Sequence, residues 1–234
     1  MNPAMQLANL IRGGTFLTIG TVIQAAGGFA AQLVLMRLLT PEDFGYFALA
    51  YATAALVQAI LSLRLNVLII RAREADMTEE RRGRYLAALM WEASVSAGAV
   101  LLLLVASEHF SVLSLLLVIA IAFGHWTSQA IAFSERALRF TPIAAIETGS
   151  QLAGHAFAVV LVVAGAGATA LYLRELAVGI LRFALFLSQG MIAPPVWRWV
   201  RAEEWRELFR EARGLWVEGL IEAGFQRMIV LCSG

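Results

Sequence analysis

Residues 15–39 read TFLTIGTVIQAAGGFAAQLVLMRLL, a stretch whose one charged residue is Arg37. About twenty consecutive apolar residues are enough for a helix to cross a lipid bilayer. Small residues, among them Gly20, Gly27 and Gly28, let helix backbones approach one another closely. The stretch is too long for a signal peptide and has no clear cleavage pattern. It therefore predicts a retained first transmembrane helix that packs inside a bundle.

Five further apolar blocks follow the first, separated by short polar stretches. They cover approximately residues 44–70, 85–106, 111–133, 142–164 and 169–192. The composition agrees, because the chain is 60% hydrophobic and only 15% charged, whereas soluble domains carry about 25% charged residues. Residues 1–192 are therefore predicted to form an all-α, polytopic transmembrane bundle of six helices.

The remaining residues predict two more segments. In residues 193–213, Trp199, Trp205 and Phe209 alternate with arginines and glutamates, which is typical of a helix that lies in the membrane interface. The alternative is an ordinary polar loop. Residues 214–234 are apolar enough to begin a seventh span.

Short motifs predict where the helices begin and end. In Thr40-Pro41-Glu42-Asp43 the threonine can cap a helix, the proline fits its first turn and the acids favour its N-terminal dipole. Gly165-Ala166-Gly167 predicts a tight connection between the fifth and sixth helices, as does the segment 107–110 between the third and fourth. Pro194-Pro195 is predicted to end the sixth helix.

The basic residues are all arginine and are unevenly placed. If successive connections alternate sides, one side receives Arg12, the arginines of 71–84, Arg136, Arg139 and those of 198–213, whereas the other receives Arg37. The positive-inside rule then predicts a cytoplasmic N-terminus. A formal net charge of +1 gives no support for nucleic-acid binding. Cys232, the single cysteine, excludes an internal disulfide, and the three histidines show no metal-ligand spacing.

Four features in order along the chain resemble a known family. They are Leu38–Gly45, the arginine-rich stretch after the second block, Arg139-Phe140 before the fifth helix, and Gly165–Ala168 before the sixth. The chain resembles the O-antigen-type flippases, the polysaccharide-transport branch of the multidrug/oligosaccharidyl-lipid/polysaccharide exporters. This resemblance implies a multi-pass protein of the cytoplasmic (inner) membrane that moves polyprenyl-pyrophosphate-linked oligosaccharide for cell-surface polysaccharide or lipopolysaccharide synthesis, without a cofactor.

Members of this family have two similar halves around a central cavity. The chain resembles the N-terminal half of such an inverted-V exporter together with the start of the second half. We therefore expect it to be inactive in transport unless a second half or a second copy completes the cavity.

Ionisable residues at membrane depth are the candidate site residues, because they are costly there and usually face a cavity or a partner. Arg182 and Arg174 in the sixth helix could bind the substrate's pyrophosphate through forked guanidinium hydrogen bonds. The alternative for Arg182 is a structural ion pair with Glu147 or Glu92. These two glutamates, in the fifth and third helices, are the candidate ion-coupling residues. His125 and His155 are predicted to be interior hydrogen-bonding residues.

Two other functions compete with the flippase. One is a multidrug-type, cation-coupled exporter, which the arginines of the sixth helix disfavour. The other is a membrane glycan polymerase or ligase, which the short outward loops disfavour. The chain carries no lysine, hence no phosphate-binding loop with lysine, and no Ser-His-Asp arrangement in a plausible turn. We therefore predict no enzyme activity, no catalytic residue and no metal site.

Overall fold

A computed structural model describes the backbone of residues 3–73, 77–106, 111–192 and 198–232, and the side chains of residues 13–73, 77–106, 111–192 and 198–222. Within these ranges the regular elements are all α-helices, so the predicted fold class is confirmed. In chain order they are α1 (Pro3–Leu38), α2 (Pro41–Leu61), α3 (Leu65–Arg71), α4 (Glu79–Ala106), α5 (Val112–Arg136), α6 (Phe140–Val163), α7 (Thr169–Ser188) and α8 (Ala202–Cys232). The predicted connection at 107–110, Pro194-Pro195 and the last two residues lie outside the described residues.

In the described part of the chain, five helices are long and apolar enough to cross a membrane. They are Gly13–Leu38, Pro41–Leu61, Glu79–Ala106, Val112–Arg136 and Phe140–Val163. Helix α7, the predicted sixth span, is long enough, at about 30 Å, but it carries Arg174, Glu175 and Arg182. Because α7 carries these three charges, five helices rather than the predicted six are both long and apolar enough to span a membrane.

Helix α1 packs against α6 through its glycines. Added Cβ atoms at Gly20 and Gly27 would lie 2.6 Å from Thr148 and 2.3 Å from Leu152, both on α6. The close approach predicted from the small residues is therefore confirmed. The prediction that α1 lies inside the bundle is wrong, because only this one face is covered and large apolar residues such as Phe29 are exposed.

The predicted start of the second helix is confirmed as a capping box. The Asp43 N–H donates to the Thr40 hydroxyl (3.2 Å), and the Thr40 N–H donates to the Asp43 carboxylate (3.0 Å). The sixth helix ends earlier than predicted, at Ser188. Gly190 adopts a φ of 63°, which lets the Met191 N–H turn back to the Phe186 carbonyl (3.0 Å) and close the helix.

The second apolar block is not one continuous helix. It divides into α2 and α3 at Arg64, whose φ of 54° and ψ of 39° are left-handed. Side chains from other helices bind backbone groups beside the break. The Trp216 indole of α8 donates to the Ile60 carbonyl (2.8 Å), and the Leu63 N–H donates to Glu92 of α4 (3.4 Å). At the break these backbone groups lack helical hydrogen-bond partners, and an apolar environment offers none, so the two side chains supply them.

Residues 202–232 form one continuous helix of 31 residues. The interfacial helix and the seventh span, predicted as separate segments meeting at 213–214, therefore share α8, since no capping or breaking motif divides them. The loop alternative for residues 202–213 is excluded. Leu208 of α8 and Val200 join a buried cluster with Leu65, Tyr85 and Leu89, so this segment is packed against α3 and α4.

Candidate functional site

A polar cavity of about 400 Å³ lies among helices α2 to α7. Its ionisable lining residues are Glu92, His125, Glu175 and Arg182 together with Tyr51, and its uncharged polar lining includes Gln58, Ser62, Asn66, Ser128 and Gln151. Polar groups are expensive in a membrane bundle unless they meet one another or water. Their convergence therefore marks this cavity as the candidate site.

Arg182 lines this cavity and pairs with Glu147. Its Nε lies 2.9 Å from Oε1 of the carboxylate, and both side chains are largely buried. The two atoms are close enough for an ion pair but are not aligned as a hydrogen bond, so the contact is chiefly a charge attraction. The ion-pair alternative for Arg182 is therefore present, and of the two predicted partners it is Glu147.

Glu147 faces a second cavity, of about 270 Å³, among α1, α5 and α6. Gln24, Glu135 and Thr148 also line this cavity, and the Gln24 side chain donates to the Thr148 hydroxyl (3.1 Å). The Arg182–Glu147 pair thus links two polar cavities through the packed interface of α6 and α7. A change of charge at Glu147 would therefore act directly on the Arg182 guanidinium, which lines the larger cavity.

Arg174 and Glu175 pair with each other, although their adjacency on one helix did not guarantee it. Their Nη1 and Oε1 atoms are 3.1 Å apart, and Arg174 Nη2 reaches the Gln151 side-chain oxygen at 3.5 Å. Glu175 lines the larger cavity, whereas Arg174 is absent from its lining and lies toward α6. The two predicted substrate-binding arginines are therefore not placed alike, and only Arg182 faces the cavity.

Glu92 is 7% exposed and lies beside the break between α2 and α3. Its carboxylate accepts the Leu63 N–H and also lines the larger cavity. The ion pair of Arg182 is with Glu147 and not with Glu92. The Glu92 carboxylate therefore binds the backbone at the break between α2 and α3 and at the same time lines the polar cavity.

Sequence reasoning missed several uncharged lining residues and the break itself. Tyr51 and Gln58 lie seven residues apart on α2, as do Glu175 and Arg182 on α7, so each pair shares a helix face. This spacing is visible in the sequence. So is the polar run around Arg64 within the second block, which signals the break.

His125 also lines the larger cavity, and its Nε2 is buried without a hydrogen-bond partner among the described residues. The prediction that it is an interior hydrogen-bonding residue is thus not met at this nitrogen. Within the same described ranges, no three His, Cys, Asp or Glu side chains converge in a way that could hold a metal ion.

Comparison with known proteins identifies the relationship at the level of the family. No curated protein and no solved structure matches the chain. A family model described as polysaccharide biosynthesis protein matches residues 34–232, a region that contains α2 to α8 and the whole lining of the larger cavity. The chain therefore belongs to the polysaccharide biosynthesis protein family.

Proposed function

We propose that this chain is part of a flippase that carries polyprenyl-pyrophosphate-linked oligosaccharide from the cytoplasmic to the outer leaflet of the inner membrane. The observation that carries the proposal is the polar cavity lined by helices of a multi-pass membrane protein whose family serves polysaccharide biosynthesis. A cavity with polar walls inside an apolar bundle suits a substrate with a charged, hydrated headgroup.

Arg182 is the group we assign to the pyrophosphate. Guanidinium binds phosphate oxygens with paired hydrogen bonds and is weakly hydrated, so it retains this ability in a partly dry site. In the structure its charge is balanced by Glu147. An incoming pyrophosphate competes with that carboxylate, and protonation of Glu147 removes the competitor.

This competition supplies a coupling step. Glu147 would take up a proton when Arg182 binds the anion and release it when the pair re-forms. Glu92 would act differently, because its carboxylate holds the Leu63 N–H at the helix break. Protonation there would weaken a contact that fixes α2 relative to α4. Arg174, which is paired with Glu175 and Gln151, would position α7 rather than touch the substrate.

The remaining features of the proposal concern the surroundings of the site. The arginine distribution supports a cytoplasmic N-terminus. A second half or a second copy of the chain would complete the cavity and permit alternating access.

A multidrug-type exporter of cations is the second candidate, and one observation favours it. Two of the charged residues that line the larger cavity are paired with a residue of opposite charge, Glu175 with Arg174 and Arg182 with Glu147. Glu92 also lines the cavity and forms no ion pair within the described residues, so when ionised it leaves a net negative charge that would attract a cation.

Binding to the full chain in nanodiscs separates the two candidates. The ligands are a polyprenyl pyrophosphate and a polyprenyl monophosphate carrying the same short oligosaccharide, and a lipophilic cation. We expect the pyrophosphate lipid to bind most tightly and Arg182→Gln to weaken it by about tenfold, the loss of one charge-assisted contact.

Arg37→Gln is the matched control, because Arg37 is exposed at the end of α1 and away from the cavity. It should leave all three affinities unchanged. Tighter cation binding in Arg182→Gln, with no pyrophosphate binding in the unaltered chain, would refute the flippase proposal and favour the exporter.

A further inference from the structure

Helix α8 separates its charges onto two sides, and its acidic side faces the bundle. Three of the four glutamates in its first three turns, Glu204, Glu207 and Glu211, pair with arginines of α4 and of the segment before α8. The contacts are Arg84–Glu204 (3.6 Å), Arg84–Glu207 (2.6 Å), Arg81–Glu211 (3.0 Å) and Arg198–Glu204 (2.7 Å). Nearby, Leu208 and Ala212 are buried. This side of α8 is therefore fully used within the chain.

The arginines of the same turns point away from the bundle. Arg206, Arg210 and Arg213 are spaced by four and three residues, which places them on one helix face. All three are exposed, and none forms an ion pair with any residue in the described ranges. Two acids of the same turns are exposed, Glu203 and Glu211, and Glu211 is paired with Arg81, so the face keeps an excess of positive charge. We call these three arginines the basic stripe.

The basic stripe lies where the bundle changes from polar to apolar. Arg81 and Arg84, which hold α8, immediately precede the apolar part of α4 that begins at Tyr85. Phe209 lies among the arginines of the stripe and is 48% exposed, and Trp199, just before α8, is 76% exposed. Exposed aromatic residues beside arginines are typical of the headgroup region of a bilayer, where ring and guanidinium both find suitable surroundings.

We propose that the basic stripe of α8 binds the headgroups of anionic phospholipids. Each arginine beside an anionic leaflet contributes roughly a fivefold preference, and the preference weakens as salt screens the charge. A helix fixed to the bundle by its acids presents the three guanidiniums together, with little loss of conformational freedom on binding. This inference concerns the outer surface of α8 and does not depend on what the cavity carries.

The test measures which lipids surround α8 in the full chain. Cys232→Ser removes the single cysteine, and Gly214→Cys introduces one at an exposed position where an added Cβ meets no neighbouring atom. A bimane label on this cysteine is quenched by brominated lipid. We compare brominated phosphatidylglycerol in phosphatidylcholine vesicles with brominated phosphatidylcholine in phosphatidylglycerol vesicles, at equal brominated fraction.

We expect at least about fivefold enrichment of phosphatidylglycerol near the label in low salt, with a steep decline at 1 M salt, where the Debye length is about 3 Å. Replacing all three arginines of the stripe by glutamine should abolish the enrichment, so that both lipids quench the label about equally. Replacing all three by lysine is the matched control, and it should keep most of the enrichment because the charge remains.

Equal quenching by both lipids in the unaltered chain would overturn the proposal, and this result needs no variant that has to fold. Absence of quenching by either lipid would also overturn it, because the face would then be covered by protein or lie in water. Enrichment that survives the glutamine replacement would assign the lipid preference to residues outside the stripe.

Discussion

Removal of one member of the Arg182–Glu147 pair should destabilise the bundle more than removal of both. The paired atoms are 2.9 Å apart, and the side chains are only 18% and 23% exposed. Breaking a buried pair by removing one partner costs about 3–5 kcal/mol, because the other charge stays buried and unpaired. Both residues line cavities, so we expect about 3 kcal/mol, the lower end of this range, for Arg182→Gln or Glu147→Gln.

The double variant leaves no unpaired charge. It should therefore lose about 1 kcal/mol or less of the free energy of unfolding, and a double-mutant cycle should show a strong coupling energy between the two positions. The assay is reversible unfolding of the reconstituted chain by SDS in mixed micelles, followed by circular dichroism of the helices. Arg37→Gln is the control and should change stability by less than about 0.5 kcal/mol. Losses of the two single variants that simply add in the double variant would refute this account.

Two further perturbations test the packing of α6 and the attachment of α8. An added Cβ at Gly154 would lie 2.1 Å from Val178 of α7, whereas one at Gly149, also on α6, meets no neighbouring atom. In the same unfolding assay, Gly154→Ala should therefore lower the free energy of unfolding by about 1–3 kcal/mol, and Gly149→Ala should hardly change it. The Arg201 backbone N–H donates to Glu204 (2.9 Å) and, with nearby arginines, lowers the pKa of this carboxyl. The contact therefore stabilises α8 at pH values above the ordinary carboxyl pKa and is lost as pH falls through the lowered value. Pepsin should then cleave α8 increasingly in that acidic range, and Glu204→Gln should reduce this dependence.

The parts of the fold that the sequence predicted correctly depend on near neighbours along the chain. The capping box at Thr40 and Asp43 needs only residues three apart, and the turn at Gly165-Ala166-Gly167 needs a glycine that can adopt positive φ. The predicted end of the sixth helix at Pro194-Pro195 is wrong, because Gly190 adopts a positive φ and closes the helix before the prolines are reached.

Of the residues that form the candidate site, the sequence predicted only the ionisable ones. Arg182, Glu147 and Glu92 were recognisable because charge is rare at membrane depth. The choice of Glu147 over Glu92 as the partner of Arg182 depends on how α4, α6 and α7 pack together, and no local pattern contains that information. Arg174 had the same sequence signal as Arg182, yet it contacts Glu175 and Gln151 and does not itself line the cavity.

The sequence by itself determined that this protein is a helical, multi-pass membrane protein of the polysaccharide biosynthesis type. Block lengths, hydropathy and short motifs carry that information, because insertion in lipid depends on the composition of each segment taken separately. Only the tertiary structure decided which residues, Glu92 and Trp216, bind the backbone beside the break at Arg64. It also decided that α8 is a single helix with an acidic inner and a basic outer side. These features arise from contacts between residues up to 158 positions apart, whose distances are set by helix packing as a whole.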